Sequence, residues 1–394
     1  MTITETGNCI ETKDQMQLRI VNTWVEKGYR GTFIAVTGVG KTRTAIRAIE
    51  RYRNLHPNAS VIITVPTLYL QSQWELELKK FHVEFNTRVL VNNTASTHKY
   101  VCDLLICDEV HTLGAEGFFE VFNTIRYNAL FCITATLERS DNRHQFILAK
   151  SPIIATVGLN EAIRNKWVSE FEIYNLPVPF TDKEKEKYDS NQRLFNYNQS
   201  LLGGKFDAWN TCEEWKNSED PEERKIAYRF MACMKVRTGL IYNAENKIRV
   251  TEQIIQNFPQ SRAIVFCQSI KFAQAINKKI GKNSIIYHSG LTTQEKRAEL
   301  QKFIDGEARV ISSVKSMDAG VDIPGLDLGI IASGSSKELQ NTQRGGRVIR
   351  KEPGKQARII NLYVPDTQEV NWLKTRLQKV EGRVNWINNL TEIL

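Results

Sequence analysis

The sequence contains no hydrophobic run long enough to cross a membrane and no recognisable secretion signal. None of its apolar runs reaches the roughly 18 uninterrupted apolar residues that a membrane helix needs. The first residues, MTITETGNCIETKD, lack the basic segment followed by an apolar segment that is typical of a signal peptide. We therefore expect a soluble intracellular protein, cytoplasmic or associated with the nucleoid, with no membrane partner.

Paired cysteines are also lacking. The seven cysteines lie at positions 9, 102, 107, 132, 212, 233 and 267, and no C-x-x-C pair occurs among them. This odd and scattered set argues against a disulfide framework or a zinc ribbon. Cys107, Cys132 and Cys267 lie in apolar, strand-like runs, where a reduced thiol acts as a small core hydrophobe. We expect reduced cysteines.

The length and composition are those of a globular chain with more than one domain. At 394 residues the chain exceeds what one hydrophobic core usually serves, so we expect two or three domains. Hydrophobic residues make up 41% and charged residues 25%, which argues against disorder. A net charge of +9 favours a polyanionic partner, although charge of this size also occurs in proteins that bind no nucleic acid.

Short apolar runs rich in β-branched residues alternate with amphipathic segments in two separate blocks. This alternation predicts an α/β fold with two RecA-like, doubly wound parallel-sheet domains. Between the blocks, from about 181 to 250, the sequence is polar and aromatic with helical spacing. We predict a first domain at 1–160, a linker and helical insertion at 161–250, and a second domain with C-terminal helices at 251–394. The predicted strands begin with 32-TFIAV, 61-VIITV, 103-DLLIC, 130-LFCITA, 262-RAIVF, 308-ARVISS and 328-LGIIA.

A glycine-rich turn follows the first predicted strand and opens directly into a helix. Glycines at such a turn let backbone N–H groups approach phosphate oxygens at a helix N-terminus. Lys41 is placed to reach the β and γ phosphates, and the Thr42 hydroxyl to ligate Mg²⁺. The alternative is a structural strand-to-helix turn, since Ala35 replaces the usual first glycine. The predicted ATP-binding loop consists of Thr37, Gly38, Val39, Gly40, Lys41 and Thr42.

Two adjacent acids end the strand 103-DLLICDEVH. Functional groups collect at the carboxyl ends of parallel strands. In phosphate-loop enzymes, an acid in the position of Asp108 binds Mg²⁺, and one in the position of Glu109 orients the attacking water. Asp-Glu at a strand end is more often a solvated turn when taken alone, and the phosphate loop upstream reverses that preference. His111 is ambiguous from the sequence, because a lone histidine is usually a surface or capping residue.

A cluster of arginines stands near the end of the second block, in 343-QRGGRVIR. A solvated basic helix is one interpretation. The other is that these guanidinium groups stabilise the charge that develops on a phosphate during transfer. That role requires the phosphate loop to face a partner domain.

Together these segments resemble superfamily 2 helicases and translocases, the DExD/H-box group. Their motifs I, Ia, II, III, IV, V and VI are matched in order by residues 35–42, 66–74, 108–111, 134–136, 265–267, 320–324 and 343–350. The P-T-x-x-L-x-x-Q-W and T-A-T-L-E-R-S-D forms are most similar to the branch of type III restriction subunits, xeroderma pigmentosum group B-like helicases and phage recombination helicases.

The resemblance implies a role for individual residues. Catalysis would involve Lys41, Asp108, Glu109, Arg347 and Arg350, and Mg²⁺ would be held by Thr42 and Asp108. Adenine would be recognised by Gln17, and motif V would add Gly320 and Asp322 to the ATP site. Coupling between hydrolysis and movement would involve His111, Thr134, Thr136 and Gln343. Phosphates of a strand would contact Thr67, Ser312 and Ser313.

The resemblance implies an ATP-dependent DNA helicase or translocase that uses ATP and Mg²⁺ and binds single- or double-stranded DNA without sequence preference. RNA is the alternative strand, and an ATP-gated clamp without strand separation is the alternative activity. Replication or recombination proteins are implied as partners. The insertion interleaves Lys and Arg with Phe195, Tyr197 and Trp209. This mixture is typical either of base stacking or of a solvated helix with a core stripe.

Overall fold

The structure is a computed structural model with two parallel β-sheets and a group of helices between them in the chain. It describes residues 10–115, 117–137, 141–169, 171–314, 323, 325–334, 357–377 and 384–393. Within these ranges, none of the helices combines the length and the apolar composition that crossing a bilayer requires.

The first sheet has six strands, all paired in parallel, in the order β3-β2-β4-β5-β1-β6. Its strands are β1 Arg30–Ala35, β2 Val61–Val65, β3 Thr87–Val91, β4 Tyr100–Asp108, β5 Ile125–Thr134 and β6 Ile153–Val157. Its helices are α1 Lys13–Glu26, α2 Lys41–Leu55, α3 Leu68–Lys80, α4 Asn92–Thr97, α5 Val121–Thr124, α6 His144–Lys150 and α7 Leu159–Arg164. Because β5 lies between β1 and β4, the segments that follow β1, β4 and β5 meet at one edge of the sheet.

The second sheet has seven parallel strands in the order β13-β7-β12-β11-β8-β10-β9. Its strands are β7 Phe171–Pro177, β8 Ala263–Cys267, β9 Ser284–Tyr287, β10 Val310–Val314, β11 Leu328–Ile331, β12 Ala357–Tyr363 and β13 Val384–Trp386. The helices around it are α11 Glu245–Asn257, α12 Ile270–Ile280, α13 Thr293–Ile304 and α14 Gln368–Leu377. Two doubly wound parallel sheets confirm the predicted fold class.

The strand β7 lies inside the range 161–250 that the sequence assigned to a linker and helical insertion. It pairs with β12 and β13, so part of this range belongs to the second sheet. Its short FEIYNLP run mixes apolar and polar residues, and it pairs with a segment almost two hundred residues away. The domain bounds therefore remain a proposal, with the insertion proper beginning after β7.

Three helices form the insertion proper: α8 Asp182–Leu201, α9 Gly204–Trp215 and α10 Pro221–Tyr242. The helix α8 begins at a capping box, in which the Thr181 hydroxyl accepts a hydrogen bond from Glu184 N. Phe195 stacks on Phe230 with ring centroids 5.0 Å apart, which places Phe195 in the core between the helices.

Other aromatic rings of the insertion face solvent. Tyr197 is 62%, Phe206 91% and Trp209 54% exposed. Phe195 therefore belongs to a core stripe, whereas these three rings are accessible, and base stacking by them stays a prediction.

The cysteines behave as the sequence predicts. All six that the structure describes are buried and form no disulfide, and they include Cys107, Cys132 and Cys267 in the strands. Cys107 and Cys132 face each other across β4 and β5. Burial raises the pKa of the Cys107 thiol well above its ordinary value, which keeps the thiol protonated and unreactive.

Candidate nucleotide-binding site

The phosphate loop connects the end of β1 to the first residue of α2. Gly38 and Gly40 have φ angles of 93° and 98°, a backbone region that suits glycine. A Cβ on Gly40 would also lie 2.7 Å from Gln17 Nε2, so a larger residue there would require the Gln17 side chain to move. Lys41 is the first residue of α2, and its ammonium donates a hydrogen bond to Ala35 O at 3.0 Å. The loop thus has the strand-to-helix geometry that the sequence predicts.

Two polar groups in this region are buried among the described residues without a hydrogen-bond partner. They are the side-chain oxygen of Gln17, a residue 3% exposed on α1, and the hydroxyl of Thr37 in the loop. Buried polar atoms ordinarily have hydrogen-bond partners, so two such atoms without a partner beside a phosphate loop are consistent with binding of a polar ligand. Thr42, the second residue of α2, is half-buried, and the Val39 side chain is fully buried.

Asp108 ends β4 and is 6% exposed. Its two carboxylate oxygens accept hydrogen bonds from different donors, Oδ2 from the indole N–H of Trp74 at 2.8 Å and Oδ1 from Glu109 N at 2.9 Å. Burial raises the pKa of Asp108 and the charge of Glu109 adds to this, while the Trp74 hydrogen bond and the charge of Lys41 act in the opposite direction. A fixed orientation is therefore imposed on this carboxylate from two sides.

Glu109 follows directly, with a φ of 47° that turns the chain away from the sheet. Its carboxylate oxygen Oε2 lies 3.4 Å from His111 Nδ1 and 3.3 Å from the hydroxyl of Thr134 at the end of β5. Burial alone would raise the pKa of Glu109, but the hydrogen bond with His111 and the positive charge of Lys41 outweigh it and lower this pKa. Glu109 is thus held as a carboxylate at neutral pH.

Thr134 joins these groups to the next segment of the chain. Its hydroxyl lies 2.9 Å from His111 Nδ1 and donates to Thr136 O at 2.6 Å. The predicted coupling residues His111, Thr134 and Thr136 are therefore in one hydrogen-bonded chain that starts at Glu109. Gln343, the predicted partner of His111, lies outside the described residues.

Several other predicted site residues also lie outside the described residues. These are Gly320, Asp322, Arg347 and Arg350, and their roles remain predictions. Gln17, Thr37, Gly38, Val39, Gly40, Lys41, Thr42, Asp108 and Glu109 lie on or beside the edge of the first sheet where β1, β4 and β5 end.

The predicted strand-contacting residues differ in their placement. The Thr67 hydroxyl accepts a hydrogen bond from Leu70 N and caps α3, and the residue is half-buried. Ser312 and Ser313 lie inside β10 and are 0% and 1% exposed, with hydroxyls that have no hydrogen-bond partner in the described part of the chain. Their contact with the phosphates of a strand stays a prediction.

The sequence did not single out Trp74 as a site residue. It was recognised only as the end of motif Ia, yet its indole N–H holds the carboxylate of Asp108. The Gln-Trp pair of that motif is the sequence feature that could have pointed to Trp74. What a sequence cannot show is that α3 packs its tryptophan against the end of β4.

Two tandem domains with a phosphate loop and a buried acid pair define a nucleotide-hydrolysing motor. A family model described as "Type III restriction enzyme, res subunit" matches residues 10–139, and one described as "Helicase conserved C-terminal domain" matches residues 246–352. These matches, together with the relatives below, support an ATP-dependent DNA helicase or translocase of superfamily 2, in the branch of type III restriction subunits and XPB-like proteins.

Individual relatives agree with this placement. A DNA 3'-5' translocase XPB2 of Sulfurisphaera tokodaii is 27% identical over 92% of this chain and 85% of its own length. A putative DNA 3'-5' helicase Rad25 of Haloarcula marismortui is 24% identical over 96% of this chain, which spans only 57% of that relative. The structure of S. cerevisiae Dbp5 bound to RNA and ADP BeF3 covers 95% of this chain and 89% of its own, with a TM-score of 0.63 and 16% identity, and shows the shared fold.

Proposed function

We propose that this chain hydrolyses ATP at the edge of its first sheet and uses the energy to move along DNA. The observation that carries the proposal is the convergence of one cation and two acids, because the charge of Lys41 acts on both Asp108 and Glu109. These three groups come from different elements, α2 and the end of β4, and the parallel order of β4, β5 and β1 brings them together.

Binding of ATP follows from the loop. The N–H groups of residues 37–42 would hold the phosphates, and Lys41 would exchange its hydrogen bond with Ala35 O for the β and γ oxygens. The side-chain oxygen of Gln17 is unpaired and its amide nitrogen lies beside Gly40, so Gln17 would recognise the exocyclic amine of adenine through that oxygen. An amide can offer both a donor and an acceptor to a base edge, which suits this role.

The residues present also fit Mg²⁺. Mg²⁺ prefers oxygen ligands and is commonly held by one or two protein groups together with phosphates and water. Asp108 offers a carboxylate whose orientation is fixed by Trp74 and by Glu109 N, and Thr42 offers a half-buried hydroxyl on the first turn of α2. Bound there, Mg²⁺ would neutralise charge on the phosphate oxygens.

Glu109 would orient the attacking water. As a carboxylate it accepts a hydrogen bond from the water and takes its proton while the new bond to the γ phosphorus forms and the bond to the ADP oxygen breaks. His111 and Thr134 fix the carboxylate on one side. Because the same Thr134 hydroxyl reaches Thr136 O, a change at Glu109 during hydrolysis is transmitted to the segment after β5.

Movement would come from the second domain. Arg347 and Arg350 would reach the γ phosphate when the two domains close, with Gly320, Asp322 and Gln343 completing the shared site. Each closure would shift the grip of one domain on the strand relative to the other. Phosphate contacts of this kind carry no sequence preference. Thr67 remains a candidate contact, since a capping hydroxyl keeps its own proton free to donate.

The test is ATP hydrolysis by the whole chain with duplex DNA, single-stranded DNA or RNA, together with a strand-displacement assay. We expect DNA to stimulate ATP hydrolysis, and Lys41→Ala to abolish hydrolysis without unfolding the protein. Lys183→Ala, at an exposed position on α8, should change neither ATP hydrolysis nor folding. Stimulation by RNA alone would select the RNA alternative. Tight ATP-dependent binding without displacement or movement would select the clamp.

A further inference from the structure

A second lysine contacts the phosphate loop from outside its motif. Lys13 is the first residue of α1, and its ammonium donates a hydrogen bond to Gly38 O at 2.8 Å. The acceptor is the carbonyl of a loop glycine with a φ of 93°. A hydrogen bond from an ammonium group is about twice as strong as one between neutral groups. This contact therefore acts on the part of the loop with the least restricted backbone.

The position of Lys13 is itself fixed by its neighbours. The Thr12 hydroxyl accepts from Gln15 N and the Gln15 side chain accepts from Thr12 N, which closes a capping box around the first turn of α1. The next residue, Asp14, pairs with Arg47 of α2 at 2.7 Å. The start of α1 is thereby attached both to the loop and to the helix that follows the loop.

The geometry of the peptide group gives this contact a consequence for anion binding. In a planar trans peptide the carbonyl of Gly38 and the N–H of Val39 point in opposite directions. A donor that holds the carbonyl therefore also fixes the direction of the Val39 N–H, and polarises it into a stronger donor. Phosphate loops bind their anion through N–H groups of this kind.

We propose that Lys13 is a positioning residue for ATP binding, which orients the Gly38–Val39 peptide so that the Val39 N–H faces the phosphates. The proposal rests on the proposed ATP site. The Lys13 ammonium contacts the loop at a backbone carbonyl, so we expect it to affect nucleotide affinity rather than the chemical step. The free rotation that glycine permits at Gly38 is what makes an external restraint useful.

The experiment compares Lys13→Ala, Lys13→Met and Lys13→Arg with Lys27→Ala, an exposed lysine at the other end of the same helix. ATP affinity, KM and kcat are measured in saturating DNA, and hydrogen exchange of the loop amides is followed with and without ATP. Removing one charge-assisted hydrogen bond should weaken ATP binding about tenfold. The Ala and Met variants should raise KM with kcat unchanged and speed loop exchange, Arg should restore affinity, and Lys27→Ala should match the wild type.

Three results would overturn the proposal: unchanged ATP affinity in the Ala and Met variants, wild-type affinity in Lys13→Met with a loss only in Lys13→Ala, or no recovery with Arg. The second result would assign the effect to packing of the aliphatic stem. If Lys13→Ala does not fold, the Met and Arg variants decide. Lys41→Ala separates this proposal from the site itself: if that variant still hydrolyses ATP, the site assignment fails whatever Lys13 does.

Discussion

The hydrogen bond between Trp74 and Asp108 offers a sharp test of how the acid pair is held. Trp74 is 1% exposed and its indole N–H donates to Asp108 Oδ2 at 2.8 Å. Trp74→Phe keeps an aromatic ring but removes the donor and part of the ring volume. Loss of a hydrogen bond to a charged group, together with a small cavity, should lower the free energy of unfolding by roughly 2–4 kcal/mol.

The functional effect should be larger than this stability loss explains. Without Trp74 the Asp108 carboxylate loses one of its two fixed donors, so the proposed Mg²⁺ ligand is less well oriented. Outer-sphere partners of this kind typically contribute about 10–100-fold to metal affinity or activity. The concentration of Mg²⁺ needed for half-maximal ATP hydrolysis should therefore rise by about that factor. Urea denaturation and hydrolysis rates at increasing Mg²⁺ measure the two effects separately.

Trp24→Phe is the matched control. Trp24 is 0% exposed and its indole N–H donates at 2.9 Å to Leu130 O, a backbone carbonyl. The same substitution there should cost comparable stability and leave the Mg²⁺ requirement unchanged. If the two variants have the same Mg²⁺ requirement, Trp74 only fills the core and the reasoning about Asp108 is refuted.

Other predictions concern the second sheet, the strand and the insertion. Lys247 and Glu369 form a fully buried ion pair at 2.8 Å, and desolvation lowers the pKa of the lysine and raises that of the acid. Lys247→Met should therefore lower the free energy of unfolding, measured in urea, by about 3–5 kcal/mol, and adding Glu369→Leu should recover most of this loss. Equal stability of the single and double variants would contradict the prediction. DNA affinity should fall steeply with salt because phosphate contacts release counterions, and a salt-independent affinity would argue against such contacts. Phe206→Ala with Trp209→Ala should preserve basal ATP hydrolysis but weaken single-strand binding by about 1–3 kcal/mol per stacked base, whereas unchanged strand affinity would exclude base stacking there.

Much of the fold could be predicted because its strands are buried on both faces. The sequence predicted seven strands, because their apolar runs can be recognised without knowing which strands they pair with. They are β1, β2, β4, β5, β8, β10 and β11. The strands that escaped prediction, such as β3, β6 and β7, have half-exposed positions in their burial patterns. Mixed patterns of this kind become strands through pairing with distant segments, which one sequence does not reveal.

Residues of the candidate site also differ in whether the sequence alone could predict them. Lys41, Asp108 and Glu109 were predictable because they occupy fixed offsets from a strand end or a helix start. Trp74 and Lys13 were not, since each acts from a helix that only the tertiary structure brings to the site. Ser312 and Ser313 are buried in β10, and their contact with strand phosphates stays a prediction.

Glu109 should serve ATP hydrolysis and not ATP binding, and single-turnover hydrolysis with saturating DNA tests this role most directly. Glu109→Gln keeps the side-chain shape and removes the charge that His111 and Thr134 hold in place. We expect ATP to bind with near-normal affinity and the hydrolysis rate to fall by about 10²–10⁴-fold, the usual contribution of a general base. Glu26→Gln, at an exposed position at the end of α1, should hydrolyse ATP at the wild-type rate. A Glu109→Gln protein that binds ATP poorly, or hydrolyses bound ATP at the wild-type rate, would contradict the account.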